Sequence, residues 1–361
     1  MSFFLLKPSS NSSFTENDDR FGLSSFWESD KVQIFSSRVD DSKYWAPSEV
    51  DGKYCLIIGR LAFNEEEWKR AKMLPGSGGL AAKLILDYWK NQKENFYSLL
   101  NGFGGVLIVD KNSVNFITDR LGFTPIYKSK DSLFFSSHSD ILASQLKKEG
   151  APLTLNKECI SEFLSYGSSF LNDTYFNEVT LMQSGVHHKF DFDKDLNQHS
   201  REYFVPSQKD CFNSSTKEGR SKELADAIKK ATELRSHDFL GDTGLMLSSG
   251  VDSRSVLFSM KNPKKVKCFT IFEQENDELR FAKEITKKTR SKHILLKREK
   301  DYYSINAREI VSVSGGRFSF IDGHYISLAH HMKLNKIGSI LTGCYCDYMF
   351  KGLSQNRSSY K

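Results

Sequence analysis

Up to about residue 205, apolar positions come in short runs separated by turn formers. Tyr54-Cys55-Leu56-Ile57-Ile58, Val106-Leu107-Ile108-Val109, Val114-Asn115-Phe116-Ile117 and Leu133-Phe134-Phe135 each have the length and residue types of a strand. Asp110-Lys111-Asn112-Ser113 and Lys130-Asp131 are polar turn sequences between such runs, which predicts hairpins. Two segments break the strand pattern with helical spacing. One is 80–89, and the other is 156–166, where Asn156 is a fitting N-cap. Strands with segregated helices predict an α+β sandwich.

Residues 206–218 are polar and rich in serine, which marks a linker between a first domain, 1–205, and a second, 219–361. The second domain has a different rhythm. A helix over 220–235 leads to a strand at 244–247 and a helix over 254–260. A strand at 266–272, a helix over 278–289 and strands at 293–296 and 339–342 follow. Alternating strands and helices predict an α/β doubly wound parallel sheet, with its ligand at the carboxyl ends of the strands.

The stretch from Gly244 to Arg254 carries the most chemistry. Leu245-Met246-Leu247 suits a buried strand, and Ser248-Ser249-Gly250 are small enough for backbone N–H groups to approach an anion. The helix that follows would offer unpaired N–H groups and its positive dipole end to phosphate. Asp252, beside a bound polyphosphate, would be a magnesium ligand. The alternative is an ordinary strand, turn and helix rich in Ser and Gly. A Walker-type loop is excluded, because GxxxxGK[ST] does not occur.

Composition narrows the classes. A chain of 361 residues with 39% hydrophobic and 13% aromatic content can bury a large core in two domains. The net charge of +6 is modest, and runs such as Lys264-Lys265 and Lys287-Lys288 read as solvated faces, not a nucleic-acid footprint. The six cysteines show no CxxC pair, which suits a reducing compartment, and Cys344-x-Cys346 lacks the further ligands a zinc site requires. The apolar run at Phe3-Phe4-Leu5-Leu6 is too short for a signal segment, and no run is long enough to span a membrane. A cytoplasmic protein with no membrane or nucleic-acid partner is expected.

The 248–253 turn resembles the SGGxDS pyrophosphate loop of the ATP pyrophosphatase superfamily, with Ser249 where that family has Gly. More stretches, in order, resemble glutamine-dependent asparagine synthetases. Asp119 to Tyr127 with Leu133 to Ser137 resembles DRLGxxPLYY…LxFASE, and Tyr175 to His187 resembles TLFxxIxxLxPGH. Leu247 to Arg254 resembles LSGGLDSS, Asp277-Glu278 with Ala282 resembles the DE…A segment, and Leu341 to Gly352 resembles LTGEGxDELFxGY. The resemblance implies a nucleophile-hydrolase-like glutamine amidotransferase domain followed by an ATP pyrophosphatase domain that adenylates a carboxylate. It also implies an ATP site of Met246, Leu247, Ser248, Ser249, Gly250, Asp252, Ser253, Ile271, Thr342 and Gly343, with Asp252 and Asp347 as magnesium ligands and catalytic carboxylates.

Departures from the family shape the expected activity. Ser2 stands where the family has its nucleophilic Cys, and Ile58 and Arg60 replace the Asn and Glu that hold glutamine. The first domain is therefore expected to lack glutaminase activity. Enzymes resembling β-lactam synthetase and lasso-peptide cyclases share that loss, and many carry SGGxDSR, as Ser253-Arg254 does here. Cys344 takes the place of the Glu in GEG, and the later Glu is Tyr348. Relative to the family the C-terminus is short, without further helices and a lysine that stabilises the phosphate leaving group; Arg357 or Lys361 would be the nearby charges. The expected function is ATP-dependent amide formation from a small-molecule carboxylate with ammonia or an amine, with a homodimer as one of the assemblies open to the chain. The alternative is a catalytically impaired relative that binds a nucleotide or a partner.

Overall fold

The computed structural model describes residues 3–9, 21–37, 42–92, 95–192, 198–206, 213–319, 321, 323–326, 328–344 and 346. They divide into two units. The first is Met1–Gln208 with Arg308–Asp322, and the second is Lys209–Ala307 with Gly323–Lys361. No helix among the described residues is long and apolar enough to cross a membrane.

The first unit holds strands β1 (Phe4–Pro8), β2 (Leu23–Glu28), β3 (Val32–Ser37), β4 (Ser48–Val50), β5 (Lys53–Leu61) and β6 (Gly102–Val109). It also holds β7 (Ser113–Ile117), β8 (Tyr127–Ser129), β9 (Phe135–Ser136), β10 (Val179–Leu181), β11 (Val186–Asp191) and β12 (Gln198–Glu202). Two antiparallel sheets result, in the orders β10-β8-β9-β1-β3-β2 and β12-β11-β7-β6-β5-β4. Alternate residues of both sheets meet in one core: Phe4, Leu6 and Ile34 from the first, and Leu56, Ile58, Leu107 and Phe116 from the second.

Helices α1 (Ser42–Trp45), α2 (Glu65–Met73), α3 (Leu80–Asn91) and α4 (Phe96–Leu99) belong to the same unit, as do α5 (Ser139–Lys148) and α6 (Lys157–Tyr166). α3 covers the second sheet at β5, and α5 covers the first through Ile141 against Leu5 and Phe35. Sandwich sheets with helices outside match the expected α+β layer order. The Asp110–Ser113 turn forms as read: the Asp110 carboxylate accepts the N–H groups of Asn112 and Ser113, each at 2.9 Å. Asn156 does cap α6, accepting from Cys159 N–H at 3.1 Å.

The second unit contains α7 (Lys217–Glu233), β13 (Asp242–Met246), α8 (Val251–Ser259), β14 (Lys267–Phe272) and α9 (Asp277–Thr289), then β15 (Lys292–Lys297), α11 (Leu328–Leu334) and β16 (Ile337–Leu341). α10 (Tyr302–Ser314) lies between β15 and α11 in the chain. The four strands form one sheet in the order β15-β14-β13-β16, and every neighbouring pair is parallel. Both faces are buried. Leu245, Leu247 and Cys268 pack against Leu257 of α8 and Ala282 of α9, while Met246, Phe269 and Leu296 pack against Leu328 of α11. The predicted boundaries shift slightly: the helix read as 254–260 begins at Val251, directly after the turn.

Candidate functional site

β13 sits where the winding of the sheet reverses. β14 and β15 extend to one side of it and β16 to the other. In an open α/β sheet such a switch point leaves a crevice outside the carboxyl ends of the strands. The 247–250 turn leaves β13 into that crevice, and Thr342 and Gly343 leave β16 beside it.

The turn is held by its own hydroxyls. Ser253 is buried, and its Oγ accepts from the Ser248 N–H at 3.1 Å. The same Oγ lies 3.0 Å from Ser248 Oγ, and 3.2 and 3.3 Å from the carbonyl oxygens of Ser248 and Gly250. The Gly250 N–H in turn donates to Ser248 Oγ at 3.2 Å. Ser249, the departure from a glycine pattern, does not adopt a positive φ, so its side chain brings no backbone strain. Gly250 is the N-cap of α8, at φ −65° and ψ 152°, and no side chain caps the helix. First-turn N–H groups and the positive dipole end therefore face the crevice. Arg254 stands on the first turn of the same helix, its Nε–H donating to the Gly250 carbonyl at 3.3 Å.

Gly343 closes the site from the β16 side. A Cβ on it would stand 2.8 Å from the Ser253 nitrogen and 2.9 Å from the Asp252 Cβ, so only a bare backbone fits against the first turn of α8. Thr342 Oγ1 accepts from the Cys344 N–H at 3.1 Å, which bends the chain away from β16. Cys344 is exposed, and its Sγ lies 3.5 Å from the Tyr325 hydroxyl, whose pKa is pushed up by burial and by this thiol.

The expected ATP contacts fall into two groups. Ser248, Ser249, Gly250, Asp252, Ser253, Thr342 and Gly343 gather around the ends of β13 and β16. Met246 and Leu247 have buried side chains in opposite cores, so only their backbone is available. Ile271 lines a cleft of about 330 Å³ with Leu296, Lys297, Arg298, Tyr302 and Asn306. That cleft opens where β14 and β15 end, one strand away from the turn. Asp347, the second expected magnesium ligand, and Ser2, Tyr348, Arg357 and Lys361 lie outside the described residues. Among the described residues no three His, Cys, Asp or Glu side chains gather as a metal cluster. Asp252 alone suits a magnesium ion that arrives with phosphates and keeps most of its waters.

Three residues near the turn carry no motif in the sequence. Thr270 Oγ1 donates to the Leu247 carbonyl at 2.8 Å, and His293 Nε2 lies 2.8 Å from that hydroxyl. Burial, and then Lys283, lower the pKa of His293. Arg298 packs its guanidinium over the rings of Tyr302 and Tyr303 at 4.7 and 5.1 Å and donates to the His324 carbonyl at 3.0 Å. The one local hint is a polar residue flanked by apolar ones in the run 269–272, which is Thr270 between Phe269 and Ile271.

Comparison with known proteins adds to this geometry. Residues 223–360 match the asparagine synthase family. That span contains every expected ATP contact, from Met246 to Gly343. No curated protein matches the chain. Among solved structures, the chain resembles the Bacillus subtilis glutamine phosphoribosylpyrophosphate amidotransferase complexed with ADP and GMP, at 12% identity and a TM-score of 0.35. The likeness covers 77% of this chain and 63% of that one, so the chain spans less than two thirds of that enzyme's length. A second structure, an allosteric regulatory enzyme of purine biosynthesis, is similar at 8% identity and a TM-score of 0.35, over 81% of this chain and 74% of that one.

In the first unit, Ile58 is fully buried in the core between the sheets, so it offers no polar contact. Arg60 is exposed, with its guanidinium 4.6 Å from the ring centre of Trp45.

Proposed function

We propose that the second unit binds Mg-ATP at the turn after β13 and uses it to adenylate a small-molecule carboxylate, which ammonia or an amine then converts to an amide. The observation that carries this reading is the uncapped N-terminus of α8 at the switch point of the parallel sheet, within the span that matches the asparagine synthase family. A carboxylate oxygen would attack the α-phosphorus, and the bond to the pyrophosphate oxygen would break. The nitrogen nucleophile would then attack the acyl carbon and release AMP.

This chain's own groups account for the first step. The N–H groups of the first turn of α8 would face the charge that develops on pyrophosphate, with the Arg254 cation on the same turn; a single preorganised donor of this kind is often worth about 3–4 kcal/mol. Asp252 would hold magnesium, which supplies charge neutralisation on the polyphosphate, and Asp347 is proposed as its second ligand. The cleft at Ile271 would take the base. Glutamine is not the proposed nitrogen source, since Ile58 is apolar and buried and Arg60 replaces an acceptor with a cation.

One observation favours a second reading, a nucleotide-binding relative without ligase activity. At the position of the family glutamate the chain has Cys344, a thiol beside the Tyr325 hydroxyl, in place of a carboxylate that would orient or deprotonate the amine. Titration calorimetry with Mg-ATP tests the site itself. Asp252→Asn is expected to weaken binding by about tenfold, equivalent to about 1.4 kcal/mol, and unchanged affinity would refute the placement. Exchange of labelled pyrophosphate into ATP, dependent on an added carboxylate, separates the ligase from the binding relative.

A further inference from the structure

The first residue of the turn is held from the side, by a chain of polar groups buried in the sheet. Leu247 stands one position beyond β13. Its N–H donates to the Phe269 carbonyl at 2.8 Å, extending the pairing with β14, and its carbonyl takes the hydroxyl of Thr270 at 2.8 Å. Thr270 is 3% exposed. Its oxygen lies 2.8 Å from His293 Nε2, and His293 Nδ1 lies 3.1 Å from Thr286 Oγ1 on α9.

Counting protons along this chain fixes its polarity. A carbonyl can only accept, so the single hydroxyl hydrogen of Thr270 points to Leu247. The Thr270 oxygen must then accept from His293, which places a proton on Nε2. The far end adapts to either charge state of the ring. With neutral His293, Nδ1 accepts from the Thr286 hydroxyl. With the cation, Nδ1–H donates to Thr286 Oγ1, which turns its hydrogen to the Ala282 or Lys283 carbonyl at 3.1 or 3.0 Å. The bond to Leu247 survives both states.

We infer that Thr270 and His293 are positioning residues that set the Leu247 carbonyl, and with it the direction in which the 248–250 turn leaves the sheet. The next N–H along, that of Ser248, is the one Ser253 holds, so a displaced Leu247 carbonyl rotates the peptide that starts the turn. The consequence for nucleotide affinity rests on the function proposed above. The consequence for the turn does not.

The full chain without nucleotide is the test sample. Nitrogen-15 imidazole spectra should show neutral His293 protonated at Nε2, and a ring protonated at Nδ1 alone would overturn the inference. Thr270→Val and His293→Leu remove the donors with similar volume, whereas Thr270→Ser and His293→Gln keep them. Amide hydrogen exchange at Ser248 and Gly250 should accelerate at least about tenfold in the first pair and stay within about twofold of the parent in the second. Unchanged exchange in Thr270→Val and His293→Leu would overturn the inference, as would equal acceleration in all four variants. If Thr270→Val does not fold, the two conservative variants and the ring spectrum still decide. Mg-ATP affinity should fall about tenfold in the same pair that accelerates. Acceleration in that pair, in a chain whose parent does not bind Mg-ATP, supports the positioning role and removes the nucleotide reading instead.

Discussion

Gly343→Ala adds one methyl group where the end of β16 meets α8. The new carbon would sit 2.8 Å from the Ser253 nitrogen, 2.9 Å from the Asp252 Cβ and 3.0 Å from the Asp252 carbonyl carbon. None of these atoms is the far end of a flexible side chain. Comfortable carbon contacts lie at roughly 3.5–4.0 Å, so strand or helix must withdraw by more than half an ångström. Two effects compete. Gly343 has no positive φ, so alanine would stabilise by about 0.4–1 kcal/mol through the unfolded chain. Overpacking a tight junction costs about 1–3 kcal/mol. The packing term wins, with a net loss of about 1–2 kcal/mol and a melting point lower by roughly 3–8 °C. The withdrawn first turn should also bind Mg-ATP about five- to tenfold more weakly. Scanning and titration calorimetry on one sample read both numbers. An alanine variant that melts at or above the parent, with unchanged affinity, would refute the close approach of β16 to α8 and the site built on it.

The first unit gives three more expectations. Glutamine should yield no glutamate, because Ile58 is sealed in the core and Arg60 presents a cation; release that disappears in Ser2→Ala would show a working hydrolase. Burial, then His188, Arg201 and Lys189, push His187 down to about 4, while Asn115 Oδ1 and the Tyr97 hydroxyl satisfy its neutral ring at 3.1 and 2.8 Å. Its folded pKa lies below the unfolded value of roughly 6.5, so its contribution is complete above about pH 6.5, drains away as pH falls towards 4 and stays lost below that. The span corresponds to an upper limit of about 3 kcal/mol, reduced by partial solvent access. Denaturant unfolding at several pH values, compared with His187→Gln, should show the parent losing more stability over that window, and parallel curves would contradict the assignment. Asn64→Ala removes the capping box in which Asn64 accepts the Glu67 N–H at 2.9 Å and Glu67 accepts the Asn64 N–H at 2.6 Å. A loss of about 1 kcal/mol is expected, with Asn64→Asp within a few tenths, and an Ala variant as stable as the Asp variant would discount the cap.

What the residues alone determined is whatever a few neighbouring positions can decide. The Asp110 turn and the Asn156 cap are side chains bonding to backbone two or three residues away, so the signal is complete within the segment. The strand into the Ser248–Gly250 turn was legible for the same reason, since an apolar run followed by small polar residues describes both the burial and the exit. Helix α8 began three residues earlier than its apolar pattern indicated, because its first turn is held by Ser253 and Gly250, not by apolar contacts.

Tertiary structure decided the rest. β1 pairs with β3 and with Phe135-Ser136, more than a hundred residues away, and no local pattern selects that partner. Lys7, which its charge would assign to the surface, is fully buried in β1 on the side of Phe35, and burial lowers its pKa. Thr270 on β14, His293 on β15 and Gly343 after β16 bear on the candidate site only because the sheet sets their strands beside β13 in the order β15-β14-β13-β16. Each such contact is worth little beside the backbone entropy it must overcome, and only the summed packing of the sheet and its helices selects the arrangement.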